Sequence, residues 1–195
     1  AMLYASGGAT RLGKVEEGTT VSDFEPEEVR RHISISTAIV PVEWNGHKIN
    51  IIDAPGYTDF VGEVKGAIRA ADAALILVDA SSGVEVGAEL SWSYLDEERL
   101  PRAVVISKMD RENARFEQAL AGLREAFNAN FAVIQIPIGA QHDFNGVVDV
   151  SNGHAIVGDK GQPGEVPASM KAQCDQAYET LVEAAAEGDD EYLMK

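Results

Sequence analysis

The chain is short of cysteine, of basic residues and of long apolar runs, and each shortage excludes a class of function. Cys174 is the single cysteine among 195 residues. No disulfide framework and no zinc cluster can be built on it, so a reducing compartment fits best, and Cys174 reads as a passive helix residue. Lys and Arg number 16 against 32 Asp and Glu, for a formal net charge of −16. Such a chain does not hold free nucleic acid by bulk electrostatics, and its acids read as solvated surface. No apolar stretch approaches the length of a membrane span. Ala1-Met2-Leu3-Tyr4 lacks the charged and apolar regions of a signal peptide, and Ala1 ahead of Met2 reads as an expression remnant. A cytoplasmic chain without membrane contact is expected. His32, His47, His142 and His154 are scattered without metal-ligand spacing. Ser6, Ser81 and Ser82 have no nucleophile context, and Trp44 and Trp92 read as packing residues. What the chain does have is 45% apolar residues, enough for one sizeable α/β domain with a small subdomain.

Along the chain, residues 7–31 hold glycines, threonines and charges with little periodicity, and read as a long mobile loop. From Ile33 to Trp44 the residues alternate in the manner of a strand. Asn45-Gly46 follows, the strongest short hairpin signal, and His47 to Ile52 returns as the partner strand. Residues 59–70 carry Phe60, Val61, Val64, Ala67 and Ile68 at helical spacing. Ala73 to Val78 and Ala103 to Ile106 are short apolar runs that read as buried parallel strands. Helices are expected over 86–99 and 116–127, and a further strand over 131–138. This alternation predicts an α/β fold, a mostly parallel sheet with helices on both faces and one antiparallel edge strand. Beyond Pro137 the pattern changes. Residues 143–150 and 154–157 read as short antiparallel strands, 159–164 as a turn-rich linker, and 167–187 as a helix stopped by Gly188-Asp189-Asp190.

Two strand ends carry chemistry. In Asn50-Ile51-Ile52-Asp53-Ala54-Pro55-Gly56-Tyr57 an apolar strand ends in an aspartate and a Pro-Gly turn follows. Asp53 is thus planted where a carboxylate can hold Mg²⁺, often through water. Gly56 offers a bare backbone N–H to a terminal phosphate. In Val104-Val105-Ile106-Ser107-Lys108-Met109-Asp110 a second strand ends in Lys-x-Asp. Asp110 can accept two N–H donors from a guanine edge while the Lys108 stem lies along the base plane. Together the two suggest a guanine-nucleotide fold. Gly8-Ala9-Thr10-Arg11-Leu12-Gly13-Lys14-Val15 nearly matches the phosphate-cradling pattern G-x-x-x-x-G-K-[ST], but Val15 has no hydroxyl for Mg²⁺. Too few residues precede it for a core strand, and no helix pattern follows. The segment therefore lacks a phosphate cradle, and by itself is expected to bind GTP weakly or not at all.

The strings L-Y-A-S-G, G-K-V-E-E-G-T-T-V-S-D-F, D-A-P-G-Y-T-D-F-V-G-E-V, A-D-A-A-L-I-L-V-D-A, G-V-E-V-G and S-K-M-D-R carry a resemblance. From Leu3 onward the chain resembles the G domain of bacterial elongation factor G, and most of all its divergent elongation factor G-like paralogues. The resemblance implies a truncated P-loop GTPase G-domain fold over 1–140, with 7–35 as the switch I region and 53–62 as switch II. It implies the beginning of a small α+β inserted subdomain, G-prime-like, over 141–195. It implies a translational GTPase whose full-length form binds GTP, GDP and Mg²⁺ and acts at the ribosome. By position, Asp53 and Ser34 would face Mg²⁺, Gly56 the γ-phosphate, and Ser107, Lys108 and Asp110 the guanine.

Four departures from the family pattern qualify that picture. The phosphate loop is expected just upstream of Leu3. The last guanine-binding loop is expected beyond Lys195. Tyr57 stands where the family has the histidine that positions the hydrolytic water, so no residue is assigned as catalytic. Ser107 stands for the usual asparagine. Two other readings are open: a non-catalytic interaction module with a degenerate nucleotide site, and a factor that binds GTP without hydrolysing it.

Overall fold

The computed structural model describes residues 1–158 and 161–187. The expected linker residues Asp159 and Lys160, and the helix stop at Gly188-Asp189-Asp190, lie outside the described residues. The chain divides into two compact units, Ala1–Ile76 with Val86–Ala103, and Leu77–Glu85 with Val104–Lys195.

The first unit opens with a one-turn helix, α1 (Met2–Ala5). The expected loop over 7–31 contains a second short helix, α2 (Pro26–Arg31), which corrects the reading of this stretch as structureless. Six residues are too few to show a helical period. Its start is instead marked by capping chemistry: Pro26 stands at the first helical position, and Glu25 and Glu28 form a capping box. His32, in the left-handed region at φ 57°, ends it.

Strand β1 (Ala38–Trp44) pairs antiparallel with β2 (His47–Asp53), in a register that sets Trp44 opposite His47 and Ala38 opposite Asp53. Asn45 and Gly46 join them with φ of 48° and 76°, the doubly left-handed turn that matches strand twist. The strand begins at Ala38 rather than Ile33, because the amides of residues 35–37 bond to carboxylates instead of to a neighbouring strand. Helix α3 (Val61–Ala70), preceded by a 3₁₀ turn, packs against α4 (Val86–Glu97). Leu95 of α4 is almost wholly buried. At their contact Lys65 Nζ lies 4.3 Å from the Tyr94 ring centroid, and Arg69 Nε bonds Glu98 Oε1 at 3.2 Å.

Strands β3 (Ala74–Asp79) and β4 (Arg102–Ser107) pair in their own sheet. Within the first unit Ala74 N–H donates to Pro101 O, and within the second Ala80 N–H donates to Ser107 O, both at 2.9 Å. The two bonds span the same chain separation, as parallel pairing through a crossover requires.

The second unit holds α5 (Phe116–Phe127), β5 (Gln135–Ile138), β6 (Gly146–Asp149), β7 (His154–Val157), β8 (Gln162–Gly164) and α6 (Lys171–Ala186). The last four strands form one antiparallel sheet in chain order. Two expectations are corrected here. The strand read over 131–138 begins at Gln135 and pairs antiparallel with β6, because the short connection from Gly139 to Asn145 cannot make a parallel crossover. The stretch read as linker contains β8, which pairs with β7 through Gln162, Pro163 and Gly164. Among the described pairings only β3–β4 fits the expected parallel sheet, so the α/β class holds while the sheet as paired is mainly antiparallel.

The core of this unit is apolar. Leu123 is 1% exposed and Val148 fully buried. A second cluster joins Ala80, Met109 and Ala114, with Ile106, Phe116, Ala140 and Phe144 packed around it. No helix among the described residues is long and apolar enough to cross a membrane. Leu123→Ala, which removes the most buried large side chain of α5, should lower stability by about 2–5 kcal/mol in urea denaturation.

Candidate guanine-nucleotide site

In the first unit the stretch from Asp23 to Thr37 is built on carboxylates. Glu28 projects from α2 and is completely buried. Its Oε1 accepts the N–H groups of Ile35 and Ser36 at 2.8 and 2.9 Å, and its Oε2 accepts the Glu25 N–H at 2.9 Å. Burial opposes the charge, but the backbone donors outweigh it and hold the carboxyl below the usual range. One residue further on, Thr37 N–H donates to Glu63 Oε2 at 2.8 Å, and Glu63 sits in the first turn of α3. Thr37 lowers the Glu63 carboxyl as well. Ser34, between α2 and these anchored amides, donates its hydroxyl to Asp23 Oδ1 at 2.7 Å, and Thr20 Oγ1 donates to Asp23 Oδ2 at 2.9 Å.

Asp53 is the last residue of β2, half-buried opposite Ala38. The turn that follows buries Pro55 and exposes Gly56 and Tyr57. A Cβ added at Gly56 would meet nothing within 4 Å. The fold's own packing therefore does not demand glycine there. Tyr57, 56% exposed, precedes the 3₁₀ turn Thr58–Phe60.

In the second unit Ser107 ends β4 and donates its hydroxyl to Val78 O at 3.2 Å. Lys108 takes φ 57° and its Nζ lies 2.7 Å from Asp79 Oδ2. Met109 is buried in the apolar cluster, and its carbonyl accepts the Gln141 N–H at 2.7 Å. Lys108 and Asp110 thus flank a buried anchor, and Asp110 is exposed. Among the described residues the carboxylates of Asp53 and Asp110 take no side-chain partner.

The structure brings Ser107, Lys108 and Asp110 into one turn, and places Asp53 and Gly56 on another. Ser34 lies in a third segment, bonded to Asp23 rather than to Asp53. Sequence reasoning missed Glu28, Glu63, Asp23 and Asp79. Only Glu28 had a local signal, the capping pattern Glu25-Pro26-Glu27-Glu28. The others are recognised by contacts that sequence spacing does not encode. Among the described residues no group of three or more His, Cys, Asp or Glu side chains could hold a metal ion. The oxygens present, one hydroxyl and separate carboxylates, are hard donors of the kind Mg²⁺ takes in ones and twos, with water and phosphate completing its shell.

Comparison with known proteins gives the class of domain. Residues 1–189 match the family model of the elongation factor Tu GTP binding domain. The chain belongs to that family. Among its relatives it is similar to elongation factor G 2 of Streptomyces coelicolor, 39% identical over 95% of this chain and 28% of that protein. It is similar too to elongation factor G of Gluconobacter oxydans, 37% identical over all of this chain and 29% of that protein. A crystal structure of a Thermus thermophilus protein superposes with a TM-score of 0.91 at 36% identity, covering 98% of this chain and 29% of the other. The resemblance to elongation factor G is thereby borne out. The chain spans under a third of the length of the curated relatives it matches.

Glu28→Gln should destabilise the protein by roughly 1.5–3 kcal/mol at neutral pH, because a charged acceptor for buried amides is lost. The folded carboxyl lies below its unfolded value, so its contribution is complete above the ordinary carboxylate range and fades as pH falls beneath it. Urea midpoints of parent and variant should therefore converge in acid.

Proposed function

We propose that the full-length protein containing this chain is a translational GTPase of the elongation factor G type, working in the cytoplasm at the ribosome. The observation that carries the reading is the pair of strand-end turns, Asp53-Ala54-Pro55-Gly56 and Ser107-Lys108-Met109-Asp110, in a chain matched along residues 1–189 by a GTP-binding family. Residues 1–140 would form part of the G domain, and 141–195 the beginning of a G-prime-like insert.

In this reading each residue has a defined task. The Asp110 carboxylate accepts the N1–H and exocyclic N–H of guanine, with the Lys108 stem along the base and Ser107 steadying the turn. Gly56 donates its N–H to a γ-phosphate oxygen. The absence of any steric need for glycine within the fold supports a ligand as the reason for it. Asp53, through water, and the Ser34 hydroxyl would hold Mg²⁺, which would neutralise charge on the β- and γ-phosphates. Water attacks the γ-phosphorus and the bond to the bridging oxygen breaks, giving GDP and inorganic phosphate. Loss of the γ-phosphate removes the partner of Gly56, and the segments over 7–35 and 53–62 relax. The Thr37–Glu63 bond ties the chain just past the first segment to the helix in which the second ends.

A second reading keeps binding but not hydrolysis. It rests on Tyr57, exposed and without a ring nitrogen to orient water.

Asp110→Asn in the full-length protein should weaken GDP binding by at least about a hundredfold and improve binding of xanthosine diphosphate. The amide then meets a carbonyl where guanine has an amine. Fluorescent-nucleotide titration reads both, and an unchanged base preference would overturn the assignment. Tyr57→His should raise ribosome-stimulated GTP turnover in a phosphate-release assay. No gain would mean that Tyr57 does not limit hydrolysis.

A further inference from the structure

Asp79, the last residue of β3, has no part in the reading above, yet among the described residues it is the most heavily engaged acid of the second unit. Its Oδ2 accepts from Lys108 Nζ at 2.7 Å, and its Oδ1 accepts from the Ser81 backbone N–H at 2.8 Å and hydroxyl at 2.6 Å. The Asp79 side chain is 15% exposed and that of Lys108 47%. Lys108, then Ser81, hold the Asp79 carboxyl well below the usual range.

The backbone around Lys108 is fixed on both sides. Ser107 O accepts the Ala80 N–H at 2.9 Å, Met109 O accepts the Gln141 N–H at 2.7 Å, and Lys108 O accepts the Arg111 N–H at 3.1 Å. Lys108 itself sits in the left-handed region, where a lysine stays only if its surroundings hold it. The remaining freedom is in the four-carbon stem, and Asp79 takes hold of its end.

We propose that Asp79 is a positioning residue for guanine recognition: it pins the Lys108 ammonium so that the stem is already laid out beside the turn that presents Asp110. This rests on the reading of Lys108 and Asp110 as the guanine-recognising pair. Two effects follow. The flexible side chain is ordered before the base arrives, and the ordering cost of one such side chain amounts to about three- to tenfold in affinity. The lysine is also kept from its neighbour two residues on, so both Asp110 oxygens stay available for the N–H donors of the base. A released Lys108 would compete for those oxygens.

The test uses the full-length gene product and titration with a fluorescent GDP analogue. Asp79→Asn, which keeps size and part of the Ser81 bonding, should raise Kd by about three- to tenfold or more. In a Lys108→Met background the same change should alter Kd by less than about twofold, because the group through which Asp79 acts is gone. A Kd for Asp79→Asn within about twofold of the parent would overturn the proposal. So would an equal loss in both backgrounds, which would mark Asp79 as a support of the fold. If Asp79→Asn melts below the assay temperature, Asp79→Ser supplies the same pair of measurements. Asp110→Asn separates the two levels of inference. If it leaves base preference unchanged, the site reading itself falls. If it shifts preference while Asp79→Asn is silent, only the role of Asp79 falls.

Discussion

A buried carboxylate organises the segment on which the first half of the site depends. Glu28 has no exposure, and removing a charge from water is costly unless donors replace the solvent. Three backbone N–H groups do so, one at the entrance of α2 and two just past Ser34. The same bonds hold the chain as an irregular run where a β ladder would otherwise take those amides. Without them β1 could extend toward Ile33, and Ser34 would point out of a strand rather than toward Asp23. The entry into the short helix and, together with Glu63, the late start of the hairpin follow from these bonds.

The acids of the site fall into two kinds. Glu28, Glu63, Asp23 and Asp79 are engaged by donors of the chain, three of them by backbone amides. Asp53 and Asp110, at the ends of β2 and β4, are not engaged by any described side chain. In a chain of such negative charge this division matters more than the total. The engaged acids hold backbone in place, and the free ones stand at strand ends where a ligand can reach them. Position at the end of a strand gives each of these carboxylates a backbone held by the strand before it.

Much of this was legible before any coordinates. The Asn45-Gly46 turn, α5 with Leu120, Leu123 and Phe127 on one stripe, β3, β4 and β7 all follow local pattern. The two turns that name the family stand in the sequence as motifs. What was not legible is contact between distant residues. Nothing in the spacing of Asp79 and Lys108 announces an ion pair between them, and Glu63 looks like any solvent-facing helix residue. The antiparallel setting of β5 escaped because a short apolar run has the same composition in either orientation. β8 escaped because Gln162-Pro163-Gly164 has the composition of a turn, and it pairs only as an edge strand, where proline is tolerated.

The bond from Thr37 to Glu63 has a mechanical meaning. The Thr37 amide is the point at which the chain after Ser34 is joined to a helix. If the stretch around Ser34 swings away, Glu63 exchanges the Thr37 donor for the water already around it. The bond is exposed to solvent, so what it passes on is geometry: a shift of Thr37 is felt first at the start of α3.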